Sequence, residues 1–315
     1  MTFNAFLLDV RLFGMLRVFP ASPHIEPRLK ALPDALRSVG ADVVCLQEVF
    51  RKPHRAFLID NLSVDYPHAA GLRQKGLPLG CGLLTLSRYP ILSSRIREFR
   101  AAVFEERIAV RMGMLESAID LPGLGRARVI NLHLSAGGLN SHPESAKAEA
   151  LRVKQIAEIL QAAEEPGPDI TVLAGDFNSG PHTCAGNYLQ VVDAGYQDAF
   201  TSESPRPEGE MTWDPGNPLI TGEMNRSLPP QRIDHLFLRR RGAEGLGAGP
   251  ARVVLNERRV VLEDGTRVPI SDHYGLAAEL ERLPAKTGYS DVIRRGRPQG
   301  AVRSVMQRIA RGGAT

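Results

Sequence analysis

The chain has 315 residues, 43% of them hydrophobic and 23% charged, with a formal charge of +4, the composition of an ordinary soluble globular protein. The basic surplus sits at one end: residues 285–315 hold seven Lys or Arg against one Asp, so residues 1–284 sum to −2, and the body of the chain gives no support to a nucleic-acid partner. Three cysteines, Cys45, Cys81 and Cys184, are far apart with no CxxC spacing, which excludes a disulfide framework or a structural zinc site and suits a reducing compartment.

In chain order, the opening FNAFLLDVRLFGMLRVF is apolar but broken by Asp9, Arg11 and Arg17. No stretch approaches the roughly 18 apolar residues of a membrane span. The opening lacks a basic n-region and a small-residue cleavage site, so it makes a poor signal peptide and a cytoplasmic location is expected. Ile25, Leu29, Leu32, Leu36 and Val39 fall at helical spacing before Gly40, which predicts a helix that stops there. The run ADVVCLQE is a strand ending at Gln47-Glu48, with Cys45 in the core. GCGLLTLSRYPI is a strand closed by a turn at Arg88-Tyr89-Pro90, and IAVRMGMLESAI reads as a strand feeding a hairpin at Leu121-Pro122-Gly123. RARVINLHLS and DITVLAGDFN are strands that stop at His133 and at Asp176 and Asn178. Ser141-His142-Pro143-Glu144 has the form of a capping box, opening a helix to about residue 161. A third helix is expected over 183–194, then a long functional or mobile loop over 202–230 rich in Pro, Gly, Ser and Thr. RIDHLFL and PISDHYGLAAEL supply the last strands. The pattern is mixed α/β, with one domain over 1–284 and a tail over 285–315.

Each polar stop taken alone is ambiguous, because a Glu or His at a strand end is commonly a solvated or packing residue. Their number changes the weight: five such stops lie where an apolar strand ends or begins, and strand ends converging on one sheet edge are where sites are built. Glu48, Asp176, Asn178 and Asp272 are hard oxygen donors suited to Mg²⁺ or Mn²⁺. His133 and His273 can donate to phosphate oxygens or take a proton near neutral pH, and Asp234 can fix a histidine tautomer. No lysine-bearing P-loop is present. The set describes metal-assisted hydrolysis of a phosphoester.

LQEVF, NLHLSA, AGDFNS, RIDHLFL and PISDHYGL, in that order, resemble the successive motifs of the endonuclease/exonuclease/phosphatase superfamily across about residues 1–282. The resemblance implies a four-layer α/β sandwich, two mixed β-sheets face to face and flanked by helices, with the site at one end of the sheets. It implies Glu48 as the main Mg²⁺ ligand, with Asn4 and Asp272 lining the metal region. It implies that Asp176 and Asn178 position water and phosphate, and that His133 stabilises the pentacovalent charge. His273, paired to Asp234, completes the acid/base and phosphate-binding set; whether Asp176 or His273 abstracts the proton stays open. Two departures stand out. Only three residues precede Asn4, so that either the true start lies upstream or Asn4 sits at a frayed terminus, and Met112-Gly113 stands where relatives often carry Lys-Gly, with Arg111 one residue off.

Within the superfamily, QEVF, RIDHLFL, PISDHYGL and MTWDPGNPL in the long loop resemble neutral sphingomyelinase-type phosphodiesterases. That resemblance implies a phospholipid headgroup as the substrate phosphodiester, with Trp213 and Asn217 as substrate residues. The alternatives are a DNA or RNA nuclease, a phosphomonoesterase and, further off, an inactive binding module; no obligate protein partner is implied. Leu12, Phe13, Met15, Leu16 and Phe19 follow Asn4 and either pack on the core or dip into a lipid interface. In the tail, Ala301, Val302, Val305, Met306 and Ile309 form a helical stripe with Arg303, Arg308 and Arg311 elsewhere, a pattern shared by a disordered terminus and by a basic amphipathic helix touching an anionic membrane.

Overall fold

The computed structural model describes residues 1–9, 11–12, 16–17, 21–71, 80–138, 142–200, 211–241, 246–249 and 251–282. Twelve strands form two six-stranded mixed sheets. One sheet runs Arg252–Val254, Gly275–Ala277, Thr2–Asn4, Val43–Gln47, Leu84–Ser87, His68–Ala70. The other runs Gln197–Asp198, Asp234–Arg240, Ile170–Asp176, Gly125–His133, Gly113–Leu121, Ile91–Glu98. Each sheet has one parallel pair at its centre, Thr2–Asn4 with Val43–Gln47 and Gly125–His133 with Ile170–Asp176, and antiparallel pairs elsewhere.

Three apolar clusters separate the layers. Leu29, Leu32, Leu36, Leu58 and Leu62 of helices Ile25–Val39 and Lys52–Leu62 pack on Phe3, Val44 and Leu46 of the first sheet. Ile156, Ile159 and Val191 of helices Ala146–Glu164 and Ala185–Asp193 pack on Ile130, Leu132 and Leu173 of the second. Cys45, Val129, Val172, Leu236 and Leu276 meet between the sheets. Helix, sheet, sheet, helix is the four-layer α/β sandwich that the motifs imply. The parallel strands approach closely: a Cβ at Gly175 would lie 2.0 Å from the Leu132 carbonyl oxygen, so only glycine lets Ile170–Asp176 close on its neighbour.

Three expectations are corrected. Asn4 is not frayed: Thr2–Asn4 is buried throughout and hydrogen-bonded on both sides, to Gly275–Ala277 and to Val43–Gln47. The helix expected from Ser141 begins at Ala146, capped by Ser145, whose side chain accepts from the Ala148 amide; Ser145 N first closes a turn onto His142 O, so the chain through Pro143 is spent on that turn. Ile108 does not open a strand. Residues Phe104–Ala109 are helical and the strand starts at Gly113, because Glu106 reaches back to the Val103 amide and Glu158 accepts from the Arg100 and Ala101 amides.

The long loop is described from residue 211, where Trp213, Ile220, Leu228 and Ile233 form a buried cluster of their own; residues 202–210 lie outside the described residues. So do Phe13, Met15 and Phe19, the side chains of Leu12 and Leu16, and the whole tail from 285. No described helix is long and apolar enough to cross a membrane.

Candidate active site

The carboxyl ends of both parallel pairs lie at one edge of the sandwich, and the site residues are there because of register. His133 and Asp176 are paired at the ends of parallel strands, and Asp176 is paired with Asp234 at the start of the antiparallel strand beyond. Partners in register turn their side chains to the same face, so three functional groups stand in a row. In the other sheet Asn4 is paired with Gln47 at the end of the second parallel pair. Glu48 follows in a left-handed turn, φ 59°. Asp272 and His273 enter just before Gly275–Ala277, the antiparallel neighbour of Thr2–Asn4.

The two rows meet at one atom. Asp176 Oδ2 accepts a hydrogen bond from Asn4 Nδ2 at 3.0 Å, with His133 Nε2 at 3.4 Å and His273 Nε2 at 3.7 Å. Its other oxygen accepts from the Asn178 amide at 2.9 Å. Asn178 turns at φ 48°, and its Nδ2 donates to Leu134 O at 2.8 Å. Asn4 Nδ2 also donates to Glu48 Oε1 at 3.1 Å, while Asn4 Oδ1 accepts from the Phe6 amide. Asn4 therefore faces both carboxylates with its amino group.

His273 Nδ1 lies 2.9 Å from Asp234 Oδ2. Burial favours the neutral imidazole, but Asp234, Asp176 and Asp272 together outweigh it and hold the His273 pKa well above 6.5. Asp234 is raised, chiefly by burial. Asp272 is pushed up to about 7, again first by burial, with Glu48 adding to the rise and His273 and Arg28 opposing it.

Glu48 Oε2 and Asp234 Oδ1 are buried without a hydrogen-bond partner among the described residues. A carboxylate oxygen left so is costly unless a cation meets it, and the donors around it are hard oxygens, so the residues fit a divalent cation of the Mg²⁺ type. Asp176, Asp234 and His273 also offer atoms within 4.8 Å of one another. In that group His273 Nδ1 is engaged by Asp234, while its Nε2 faces Asp176.

A match to the model of the Endonuclease/Exonuclease/phosphatase family covers residues 1–273. The chain belongs to this family. It is therefore a phosphodiesterase-type hydrolase by family. The Escherichia coli K12 protein YbhP, itself uncharacterised, is 29% identical over 269 residues, covering 80% of this chain and 88% of YbhP. A Drosophila melanogaster protein provisionally named a neutral sphingomyelinase is 26% identical over 290 residues, covering 87% of this chain and 60% of that one. Among solved structures, beta toxin from Staphylococcus aureus superposes with TM-score 0.68 at 18% identity over 88% of this chain and 98% of that one; a mutant form of it with bound magnesium ions gives 0.62 at 16%, over 88% and 97%. Sphingomyelinase C from Streptomyces griseocarneus gives 0.63 at 21% over 88% and 97%, and D. rerio TDP2 complexed with a single-strand DNA product gives 0.63 at 20% over 89% and 97%. At these identities the superpositions establish a shared fold.

For this family member, the structure brings Asn4, Glu48, His133, Asp176, Asn178, Asp234, Asp272 and His273 to one edge. Trp213 and Asn217 approach from the side through the loop: Trp213 bridges to Gln231 and His273, and Asn217 Nδ2 donates to Ser271 O at 2.9 Å. Both are buried, so their visible contacts are with the chain itself. Arg111 pairs with Glu98 at 3.0 Å and Met112 is in the core, so the position where relatives carry Lys delivers no cation to the site.

Four polar residues beneath the site carry no role in the sequence reading. Gln47 Nε2 donates to Asn131 Oδ1 at 2.8 Å, and Asn131 Nδ2 donates to the Leu46 and Leu84 carbonyls at 3.1 Å, which ties the two sheets together behind Glu48 and His133. Thr212 Oγ1 accepts from the Asp234 amide. Ser271 Oγ donates to Asn4 O at 2.7 Å and accepts from the His273 amide. The available signal was a polar side chain inside an apolar run, as at Gln47 and Asn131, because such a group is buried only when satisfied.

Proposed function

We propose that this protein is a Mg²⁺-dependent phosphodiesterase that hydrolyses a phospholipid headgroup ester of the sphingomyelinase type. The observation that carries the reaction is the convergence of Asn4, His133 and His273 on Asp176 Oδ2, beside the unpartnered Glu48 Oε2. Glu48 and Asp272 would hold the ion, with Asn4 bracing Glu48 through its amide; Mn²⁺ suits the same oxygens. When bound, the ion polarises a phosphoryl oxygen and stabilises the leaving oxygen.

The chain's own groups divide the rest. Asp176 Oδ2, with His133 Nε2 and His273 Nε2 beside it, orients the attacking water and accepts its proton. His273 and His133 then donate to the phosphoryl oxygens, where charge builds in the transition state. Asn178, anchored through Leu134 O, positions the phosphate. Asp234 orients His273, and Trp213 and Asn217 shape the wall on which the substrate rests.

The lipid reading draws on the Drosophila relative and the sphingomyelinase fold neighbour. It draws also on charge: among the described residues Arg111 is paired with Glu98, and Arg28 and Arg152 are fully buried, so these three offer nothing to a nucleic-acid backbone. The likeness to TDP2 with a DNA product favours a nuclease as the second reading. Residues 1–284 would form the catalytic domain of a cytoplasmic enzyme, and 285–315 a detachable tail for peripheral contact with anionic membrane. The test is one assay panel of sphingomyelin, lysophospholipid, phosphoinositide and abasic or single-stranded DNA, each with Mg²⁺, with Mn²⁺ and with EDTA. Phosphocholine release that needs the metal is expected; DNA cleavage without lipid cleavage would overturn the substrate assignment.

A further inference from the structure

Among the described residues the two largest fully buried side chains are arginines, Arg28 and Arg152, each with no exposed surface. They lie on the two outer helix layers, Arg28 on Ile25–Val39 over the first sheet and Arg152 on Ala146–Glu164 over the second. A buried guanidinium is costly unless its donors are met, and among the described residues neither arginine is hydrogen-bonded to a carboxylate. Their donors go mostly to loop carbonyls instead, with Asn187 of the helix Ala185–Asp193 taking one from Arg152.

Arg28 donates to Ala5 O at 3.1 Å, Phe6 O at 2.6 Å, Ile270 O at 2.9 Å and Pro23 O at 2.9 Å. Ala5 and Phe6 follow Asn4, and Ile270 stands two residues before Asp272. Arg152 donates to Ser135 O at 3.1 Å, Pro143 O at 2.7 Å, Asn187 Oδ1 at 3.1 Å and Cys184 Sγ at 3.0 Å. Ser135 stands two residues after His133, and Asn178 is tied to Leu134 O beside it. One arginine thus gathers the chain leaving Asn4 and the chain entering Asp272; the other gathers the chain leaving His133 and the turn through Pro143, and meets the side chains of Cys184 and Asn187. The fork of an arginine reaches several acceptors at fixed angles, which the single ammonium of a lysine cannot.

We infer that Arg28 and Arg152 are positioning residues that fix separate halves of the site, Arg28 the metal half and Arg152 the half that meets water and phosphate. The inference rests on the proposed function for what each half does, and on the hydrogen bonds alone for which segments each arginine orders.

The test compares Arg28→Met, Arg28→Lys, Arg152→Met and Arg152→Lys in the full chain, with three readouts: Mg²⁺ affinity by calorimetry, kcat at saturating Mg²⁺, and amide hydrogen exchange. Arg28→Met is expected to weaken Mg²⁺ affinity about 10–100-fold with kcat at saturation nearly kept, and Arg152→Met to lower kcat by about the same factor with Mg²⁺ affinity unchanged. Exchange should quicken over 4–7 and 270–273 in the first and over 134–137 and 142–145 in the second. The lysine variants should move the same parameters in the same direction, and they decide the matter if a methionine variant does not fold. Both pairs moving the same parameter, or exchange that is unchanged or raised evenly along the chain, would overturn the inference. Should the wild type show neither Mg²⁺ binding nor turnover, the functional reading fails, and the exchange pattern alone still decides whether each arginine orders its own pair of segments.

Discussion

Asn4 Nδ2 lies 3.0 Å from Asp176 Oδ2 and 3.1 Å from Glu48 Oε1, so one amide from the first sheet holds a carboxylate of its own sheet and one from the opposite sheet. The two acids are brought together across the sandwich with a donor between them. Asn4→Ala leaves them facing each other with no donor. Turnover is expected to fall about 10–100-fold and stability by about 1–3 kcal/mol, read by steady-state kinetics and urea denaturation. Unchanged kinetics in a folded variant would remove Asn4 from the site.

Glu48 has one oxygen on Asn4 and the other buried without a partner among the described residues, which supports its proposed place at the ion. Glu48→Gln keeps the shape and removes the charge. Mg²⁺-dependent turnover should be lost and calorimetric Mg²⁺ binding with it; full activity in that variant would sink the metal assignment.

His273 stands between Asp234 at 2.9 Å and Asp176 at 3.7 Å. If His273 donates to the phosphoryl oxygens as proposed, its replacement in His273→Ala is expected to cost about 10²–10³-fold in kcat. Asp234→Asn should lower kcat in the same direction, since it takes away the carboxylate that orients the imidazole through Nδ1. A chromogenic phosphodiester reads both variants.

Away from the site, the acid limb of stability has a named contributor. Burial alone would raise the Asp198 carboxyl, but His235 and Arg232 outweigh it and hold its pKa down at about 2. A carboxyl depressed in the folded state stabilises above its unfolded value and loses that contribution as pH falls through the folded one. Asp198 should therefore contribute about 2 kcal/mol at neutral pH, lost between about pH 4 and pH 2. Urea unfolding of Asp198→Asn beside the wild type checks this: the difference between the two should narrow over that window, and a constant difference would contradict it.

The strand-end motifs were legible because a strand buried on both faces must be apolar, so a Glu, His or Asp ending such a run stands out. Ile170–Asp176 shows it, buried at every residue and closing on a carboxylate. The helix Ile25–Val39 was legible to its last residue from apolar spacing and Gly40, which takes φ 72°. Local preference misled at Ile108, read as the opening of a strand, which instead lies within the short helix Phe104–Ala109, around whose start the Glu106 and Glu158 side chains satisfy the amides. Shortness misled at Asn4, because a three-residue strand is held by neighbours on both sides.

What the sequence determined by itself is the inventory: which residues carry oxygen ligands and imidazoles, the layered α/β class, and the family. Only the tertiary structure decided which of them meet. His133, Asp176 and Asp234 stand in a row because parallel and antiparallel pairings put the relevant ends of three strands at one edge, and register is a relation between strands that no single strand encodes. The contact from Asn4 to Asp176 joins residues 172 positions apart, and it exists because two sheets pack face to face. Arg28 and Arg152 look like charged surface residues on paper; they are buried because folded loops turn their carbonyls inward to meet them.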